Sequence, residues 1–474
     1  MAPDNDRERP SQRWLPQAEV AADGSGRPFI HRRGQILVRT ADRDEVNKLV
    51  GGRIDARRDL GPVTLITDLS DERGPDRTME AVRDLRARGF RAQPNHVFFA
   101  DGAGVYANPA TFANPATFAN PATFANPATF ANPATFANPA TFANPATFAN
   151  PATFANPATF ANPWGGHGGC GCCSCLTTPM PAVKPLQEPV RTLAVSAPAP
   201  STAPTFPTGV PAGAPRVYVL DTGLAADAFR PDFQGPVTCL SPADEDHPDE
   251  DDDSYIDPVA GHGTFIAGIV ERLAPGTPVT VDRVLSTFGH GDDADIAAVI
   301  NAIPDADLPE IFNLSFSAFT EDDEPPAAIA AALARVVAAG SVVVASAGNS
   351  ATCRKAFPAA LAEVVSVGAV GPFGPAFFTN FGPWVRASAP GVDVVSRYFQ
   401  PKQGDPDSLP LDDHGNGYEG WAAWSGTSFA APAVVGALAA RMIATQCTAV
   451  EAVRDVIDAP HLMRWPGLGT IVNV

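Results

Sequence analysis

The sequence predicts an α/β fold, a three-layer doubly wound parallel sheet, preceded by a small ferredoxin-like α+β module and an irregular repeat linker. Three observations predict it. From Arg216 onward, nearly all-apolar runs alternate with helical stretches, the pattern of buried parallel strands joined by helices. From Gly34 to Ala100, strand and helix signals follow in the order β-α-β-β-α-β. Between these regions the hexapeptide ANPATF runs nine times without substitution, from Ala107 to Phe160.

In chain order, residues 1–28 are polar and featureless, and are expected to be disordered. Gln35 to Thr40 reads as a strand, and Asp42 to Gly52 as a helix with an aspartate cap and a glycine stop. A short strand at Arg53 to Asp59 and a clearer one at Pro62 to Leu69 follow. Pro75 and Asp76 open a second helix whose apolar spacing is Met79, Val82, Leu85 and Ala87, and Arg91 to Ala100 closes as an extended segment. These elements bound a module at residues 29–106.

The repeat, residues 107–164, raises the question of a solenoid. Proline at every sixth position forbids a continuous helix and removes a donor from any central strand. One Phe per six residues buries too little area to offset roughly 1–2 kcal/mol of backbone entropy per residue. A tether of loosely coupled turns is therefore expected. Residues 165–214 contain GGHGGCGCCSC and a Pro/Ala-rich linker. Cys170, Cys172, Cys173 and Cys175 stand too close together to wrap one tetrahedral zinc easily. An unmodified linker, a shared metal cluster, a redox role and enzymatic modification all stay open. Cys239, Cys353 and Cys447 are scattered singly and are expected to be reduced, small core residues.

Charge excludes some classes of partner. The net charge is −19 overall. Residues 1–106 carry 18 basic and 17 acidic side chains, whereas residues 205–474 carry 13 and 34. Such an acidic C-terminal half repels phosphate backbones, so no nucleic-acid partner is expected. No apolar leader is evident at the N-terminus and no window reads as a membrane span, so the expectation is a cytoplasmic protein with no membrane partner.

From residue 215 to 474, four element ends carry chemistry. Asp221 in VYVLDTGL stands just past a strand, where open α/β sheets place their sites. His262 in GHGTFIAG begins a helix, Asn349 in SAGNS follows a strand, and Ser428 in SGTSFAAP heads a long apolar helix. An acid, an imidazole and a hydroxyl are the parts of a nucleophilic triad, and a side-chain amide can donate to an oxyanion.

These motifs, DTG, GHGT, AGN and GTSxAxP in that order, resemble the subtilisin-like serine peptidases over residues 215–474. The resemblance implies serine endopeptidase activity on polypeptide substrates, with Ser428 as nucleophile, His262 as general base, Asp221 as its orienting acid and Asn349 as oxyanion donor. It implies substrate contacts at Leu314, Ser315 and Phe316 and a specificity-pocket wall at Ser346, Ala347 and Gly348. Two departures stand out: Ser317 where the family usually has Gly, and Phe265 where it usually has His. No organic cofactor is implied and no metal ligand is assigned. The acidic run Asp244 to Asp253 reads as a solvated loop, as a structural calcium site or as an attraction for basic substrates. The 29–106 module resembles an inhibitory propeptide, making the chain's own N-terminal region a partner of its active site and implying autoprocessing. A different reading is a self-processed precursor or scaffold, whose repeat and Cys-rich segment are the functional product.

Overall fold

The computed structural model describes residues 17–70, 74–101, 194–197, 199–200, 205–405, 407–411 and 417–474. The ANPATF repeat and the Gly/Cys-rich stretch lie outside the described residues, and so do the expectations attached to them.

The N-terminal module has strands β1 (Ala18–Ala22), β2 (Pro28–Arg39), β3 (Arg53–Asp55), β4 (Val63–Thr67) and β5 (Ala92–Ala100). Its helices are α1 (Arg43–Val50) and α2 (Thr78–Ala87). The strands pair antiparallel in the order β5-β2-β4-β3, with β1 folded onto the first part of β2. Strand β1 corrects the expectation of a featureless stretch through residue 28. The Asp23 carboxylate makes the turn, accepting from the Ser25 and Arg27 backbone N–H groups and from the Ser25 hydroxyl. Local side-chain bonds of this kind leave no hydrophobic period to read. Phe29, Ile36, Val38, Val46, Ile66, Met79, Val82 and Leu85 form the module's own core.

The second body is built on eight parallel strands. In chain order they are β6 (Val217–Asp221), β7 (Val237–Cys239), β8 (Val279–Arg283), β10 (Ile311–Leu314), β12 (Val342–Ser346), β13 (Val365–Gly371), β14 (Ala387–Pro390) and β15 (Gly469–Ile471). Two short strands, β9 (His290–Asp292) and β11 (Phe316–Ser317), stand outside this sheet. The parallel order is β15-β14-β13-β12-β10-β6-β8-β7. Residues of β6, β10 and β12 are buried throughout, which is why they read as continuous apolar runs.

Helices α3 (His262–Leu273) and α6 (Thr427–Thr445) pack on each other and on this sheet. Helices α4 (Asp293–Ala302) and α5 (Ala327–Ala338) form a second pair, which touches the N-terminal module through β5 and β4 respectively. Helix α6 departs from the expectation that no window reads as a membrane span. It is long and apolar enough to cross a bilayer, but 72% of that window is buried inside the protein, and it serves as the core helix.

One further correction concerns the cysteines. Cys353 is disulfide-bonded, while Cys239 and Cys447 are free and only half-buried.

Candidate active site

Asp221 is the last residue of β6, and His262 is the first of α3. The close approach between their loops needs glycine: a Cβ on Gly263 would lie 2.3 Å from the Gly223 carbonyl oxygen. His262 Nδ1 donates to Asp221 Oδ1 at 2.7 Å, with both side chains fully buried. The same oxygen accepts the Thr222 N–H at 2.8 Å. Because a carboxylate only accepts, the proton sits on Nδ1, leaving Nε2 as a buried base with no hydrogen-bond partner among the described residues. The imidazole stacks edge-on against Trp424, centroids 5.2 Å apart, and tilts against Phe429 at 5.3 Å. Phe265 packs on both of those rings, so the unusual aromatic in GHGTF extends the wall that holds the imidazole.

Asp246 is a member of this site that the sequence did not single out, because it lies within a run of acids. Its buried Oδ2 accepts from Thr222 Oγ1 at 2.6 Å and from the Gly261 N–H at 2.8 Å, tying together the loops that carry Asp221 and His262. Burial pushes its carboxyl well above the ordinary carboxylate range.

Ser428 lies in the first turn of α6. Its hydroxyl donates to the Ser315 carbonyl at 3.1 Å, and the Ser315 hydroxyl donates back to the Ser428 carbonyl at 2.9 Å. Asn349 is anchored by its Oδ1, which accepts from the Thr427 N–H at 3.0 Å and hydroxyl at 2.9 Å. That fixes Nδ2 as a donor aimed into the cleft.

The N-terminal module occupies this cleft. Residues Val97 to Phe99 of β5 pair antiparallel with β9, and Phe99 and Ala100 pair with β11. The Ala100 N–H donates to Gly289 O at 2.8 Å, and the Asp101 N–H to Ser315 O at 3.1 Å. The Asp101 carbonyl oxygen accepts from Asn349 Nδ2 at 2.5 Å and from the Ser428 N–H at 3.3 Å. Its side chain enters a pocket where Ser317 Oγ donates to Oδ1 at 2.7 Å and Ser346 Oγ donates to Oδ2 at 2.6 Å.

The other residues expected at the groove divide. Ser315, Phe316 and Ser346 contact the docked strand, as just described. Gly348 holds a left-handed φ of +98° behind the pocket, its N–H bonded to Thr427 Oγ1 at 3.1 Å. Ala347 is buried behind that wall, its carbonyl accepting from Asn380 Nδ2 at 2.8 Å. Leu314 is a sheet residue, paired with Leu220 and Ala345 and packed in the core. The sequence missed the second groove strand, β9, because HGD carries no strand pattern. It also missed Ser317 and Asp101 as partners, which are 216 residues apart.

Side chains outside the groove hold the module down. The Asn95 side chain caps α4, accepting from the Ala294 N–H at 3.1 Å, and Gln93 accepts from the Ala327 N–H at the start of α5. Arg354, almost fully buried, donates to Pro28 O at 2.6 Å, Thr320 O at 2.9 Å and Asp323 Oδ1 at 2.7 Å. Of the acidic run, Asp249 and Asp251 join Asp257 with one carboxylate oxygen each, all within 4.8 Å of one another. Burial first, then the charges of Asp251 and Asp249, pushes the Asp257 carboxyl up to about 6. A cation would relieve that crowding.

A buried acid–imidazole pair, a serine at a helix start and two N–H donors on one carbonyl are the kinds of group that acyl transfer uses. The model of the Subtilase family matches residues 213–458, and the chain belongs to that family. It is 33% identical over 253 residues to the thermophilic serine proteinase of Bacillus sp. (strain AK1), covering 51% of this chain and 55% of that protein. It is 30% identical over 236 residues to the thermostable alkaline protease of Halalkalibacterium halodurans, covering 47% and 55%. Halolysin of Haloferax mediterranei is 36% identical over 193 residues, covering 38% and 36%. The chain thus spans about half the length of the curated relatives it matches, or less. A crystal structure of a cold-adapted subtilisin-like serine proteinase covers 54% of this chain and 88% of its own, at 21% identity and a TM-score of 0.42.

The expectation of a cytoplasmic protein is overturned. The thermophilic proteinase, the alkaline protease and halolysin are secreted, extracellular subtilases, and kinship with them conflicts with a cytoplasmic location.

Proposed function

We propose that this chain is a serine endopeptidase made latent by its own N-terminal module, which occupies the cleft in the manner of a substrate. One observation carries the reading: the Asp101 carbonyl oxygen lies between Asn349 Nδ2 and the Ser428 N–H. Those donors, placed where negative charge develops on a scissile carbonyl, are what acyl transfer requires.

The reading assigns each step to one of these groups. Once the Ser428 hydroxyl turns from the Ser315 carbonyl toward the imidazole, its oxygen adds to the carbonyl carbon and its proton passes to His262 Nε2. Asp221 holds the Nδ1 proton and stabilises the imidazolium without itself being protonated. The oxyanion is held by Asn349 and by the Ser428 N–H at the positive end of α6. Breaking the C–N bond sends the Nε2 proton to the departing amine. Water, deprotonated by His262, then releases the acyl group. No step needs a cofactor. Calcium at Asp249, Asp251 and Asp257 would be structural, and metal analysis before and after chelation tests that assignment.

Intact mass of the purified wild-type chain beside Ser428→Ala tests the function. The reading expects fragments from wild type and a single full-length mass from the variant. Identical masses, together with no hydrolysis of a peptide library, refute it.

A further inference from the structure

The specificity pocket contains one side chain, that of Asp101, and its contacts state what the pocket accepts. Asp101 is buried, with 1% of its surface exposed. Each carboxylate oxygen accepts a hydrogen bond from a hydroxyl on a different wall, Ser317 on β11 and Ser346 on β12. Among the described residues, no lysine or arginine pairs with it. The pocket is also short: a Cβ placed on Gly348 would lie 3.1 Å from Ser317 Oγ, so that hydroxyl closes the space against the Gly348 backbone. A branched or aromatic side chain entering here displaces both hydroxyls from their acceptor and leaves them buried and unpaired. A longer acid would carry its oxygens past the Ser317 hydroxyl.

We propose that the enzyme cuts after aspartate, with Ser317 and Ser346 reading the side-chain carboxyl, and that its own Asp101–Gly102 bond is the first substrate. This deepens the peptidase reading and rests on it. In the step, Ser428 Oγ bonds to the Asp101 carbonyl carbon and its proton goes to His262. The Asp101–Gly102 bond breaks, the Gly102 amine takes the proton, and water hydrolyses the ester, giving a fragment that ends at Asp101. Water is the sole co-reactant.

The lack of a counter-charge sets the form of the acid that binds. Burial pushes the Asp101 carboxyl up to about 7, against the hydrogen bonds from Ser346 and Ser317 that pull it down. His262 and Asp221 are the charged or titratable groups next to it, the first lowering and the second raising it. Asparagine, which presents the same oxygen without a charge, is therefore expected to be cut as well, and to gain on aspartate as pH rises.

The test uses the full chain, allowed to process itself, with peptides that differ only in the residue before the scissile bond: Asp, Asn, Glu, Leu, Phe and Lys. The expected kcat/KM at pH 6 is at least about tenfold higher for Asp than for Leu, Phe or Lys, on the scale of hydrogen bonds to an ionisable group. Ser317→Ala and Ser346→Ala should each lower the Asp-to-Leu ratio by about tenfold, measured as a ratio so that a general loss of activity cancels. The N-terminal fragment should have the mass of a chain ending at Asp101. Cleavage of the set with no preference for Asp, a fragment ending elsewhere, or ratios unmoved in both serine variants overturns the inference while leaving a peptidase. No cleavage of any peptide by a processed chain overturns the peptidase reading itself.

Discussion

Raising the pH should loosen the module from the cleft, and the size of the effect follows from one residue. Burial pushes the docked Asp101 carboxyl up to about 7, from an ordinary 3.8. A bound group with a raised pKa contributes fully below its free pKa, and loses that contribution as pH rises through the bound one. Docking therefore weakens by up to tenfold per unit between about pH 4 and pH 7. Going from pH 5 to pH 8 crosses two of those three units, a loss of about a hundredfold, or roughly 3 kcal/mol. Asp101→Asn keeps an oxygen for the two serines but cannot ionise. In the Ser428→Ala background, where the chain stays whole, amide hydrogen exchange across β5 reports opening at each pH. After correction for intrinsic exchange, β5 protection should fall about a hundredfold from pH 5 to pH 8 with Asp101 present. The fall should be absent with Asn in its place. Parallel curves for the two chains would show that the docked carboxyl is not held in its neutral form, and the argument would fail.

Other outcomes follow from the same geometry. Ser428→Ala and His262→Ala should abolish peptide hydrolysis; the serine change should leave the melting temperature nearly unchanged, whereas the histidine change, which leaves the buried Asp221 carboxylate without its partner, should lower it; activity within tenfold of wild type in either would remove its role. Asn349→Ala should lower kcat by about 10²–10³, a figure measured on a member of this same family rather than worked from this structure; unchanged turnover would take the amide out of the oxyanion site. Arg354→Ala removes the bond to Pro28 O and should weaken the module's hold by about tenfold, seen as earlier onset of activity after dilution; an unchanged lag would mean that the arginine braces only its own loop.

The order of Asp221, His262, Asn349 and Ser428 was legible because each residue sits in a short stretch whose local structure is set by its neighbours. A strand ends at Asp221, a glycine turn precedes His262, and a long apolar run follows Ser428. Apolar runs in the sheet were equally plain, since strands buried on both faces are filled almost wholly by apolar residues. Tertiary structure alone decided what meets across the cleft. Asp101 lies 216 residues from Ser317 and 245 from Ser346, and neither serine carries a local pattern that marks it as a ligand. Asp246 is chemically indistinguishable in sequence from the solvated acids beside it. Its burial between two loops is what makes it structural. Period and capping are short-range properties that a linear chain displays, whereas a hydrogen bond between distant side chains exists only once the sheet has fixed where its strands end.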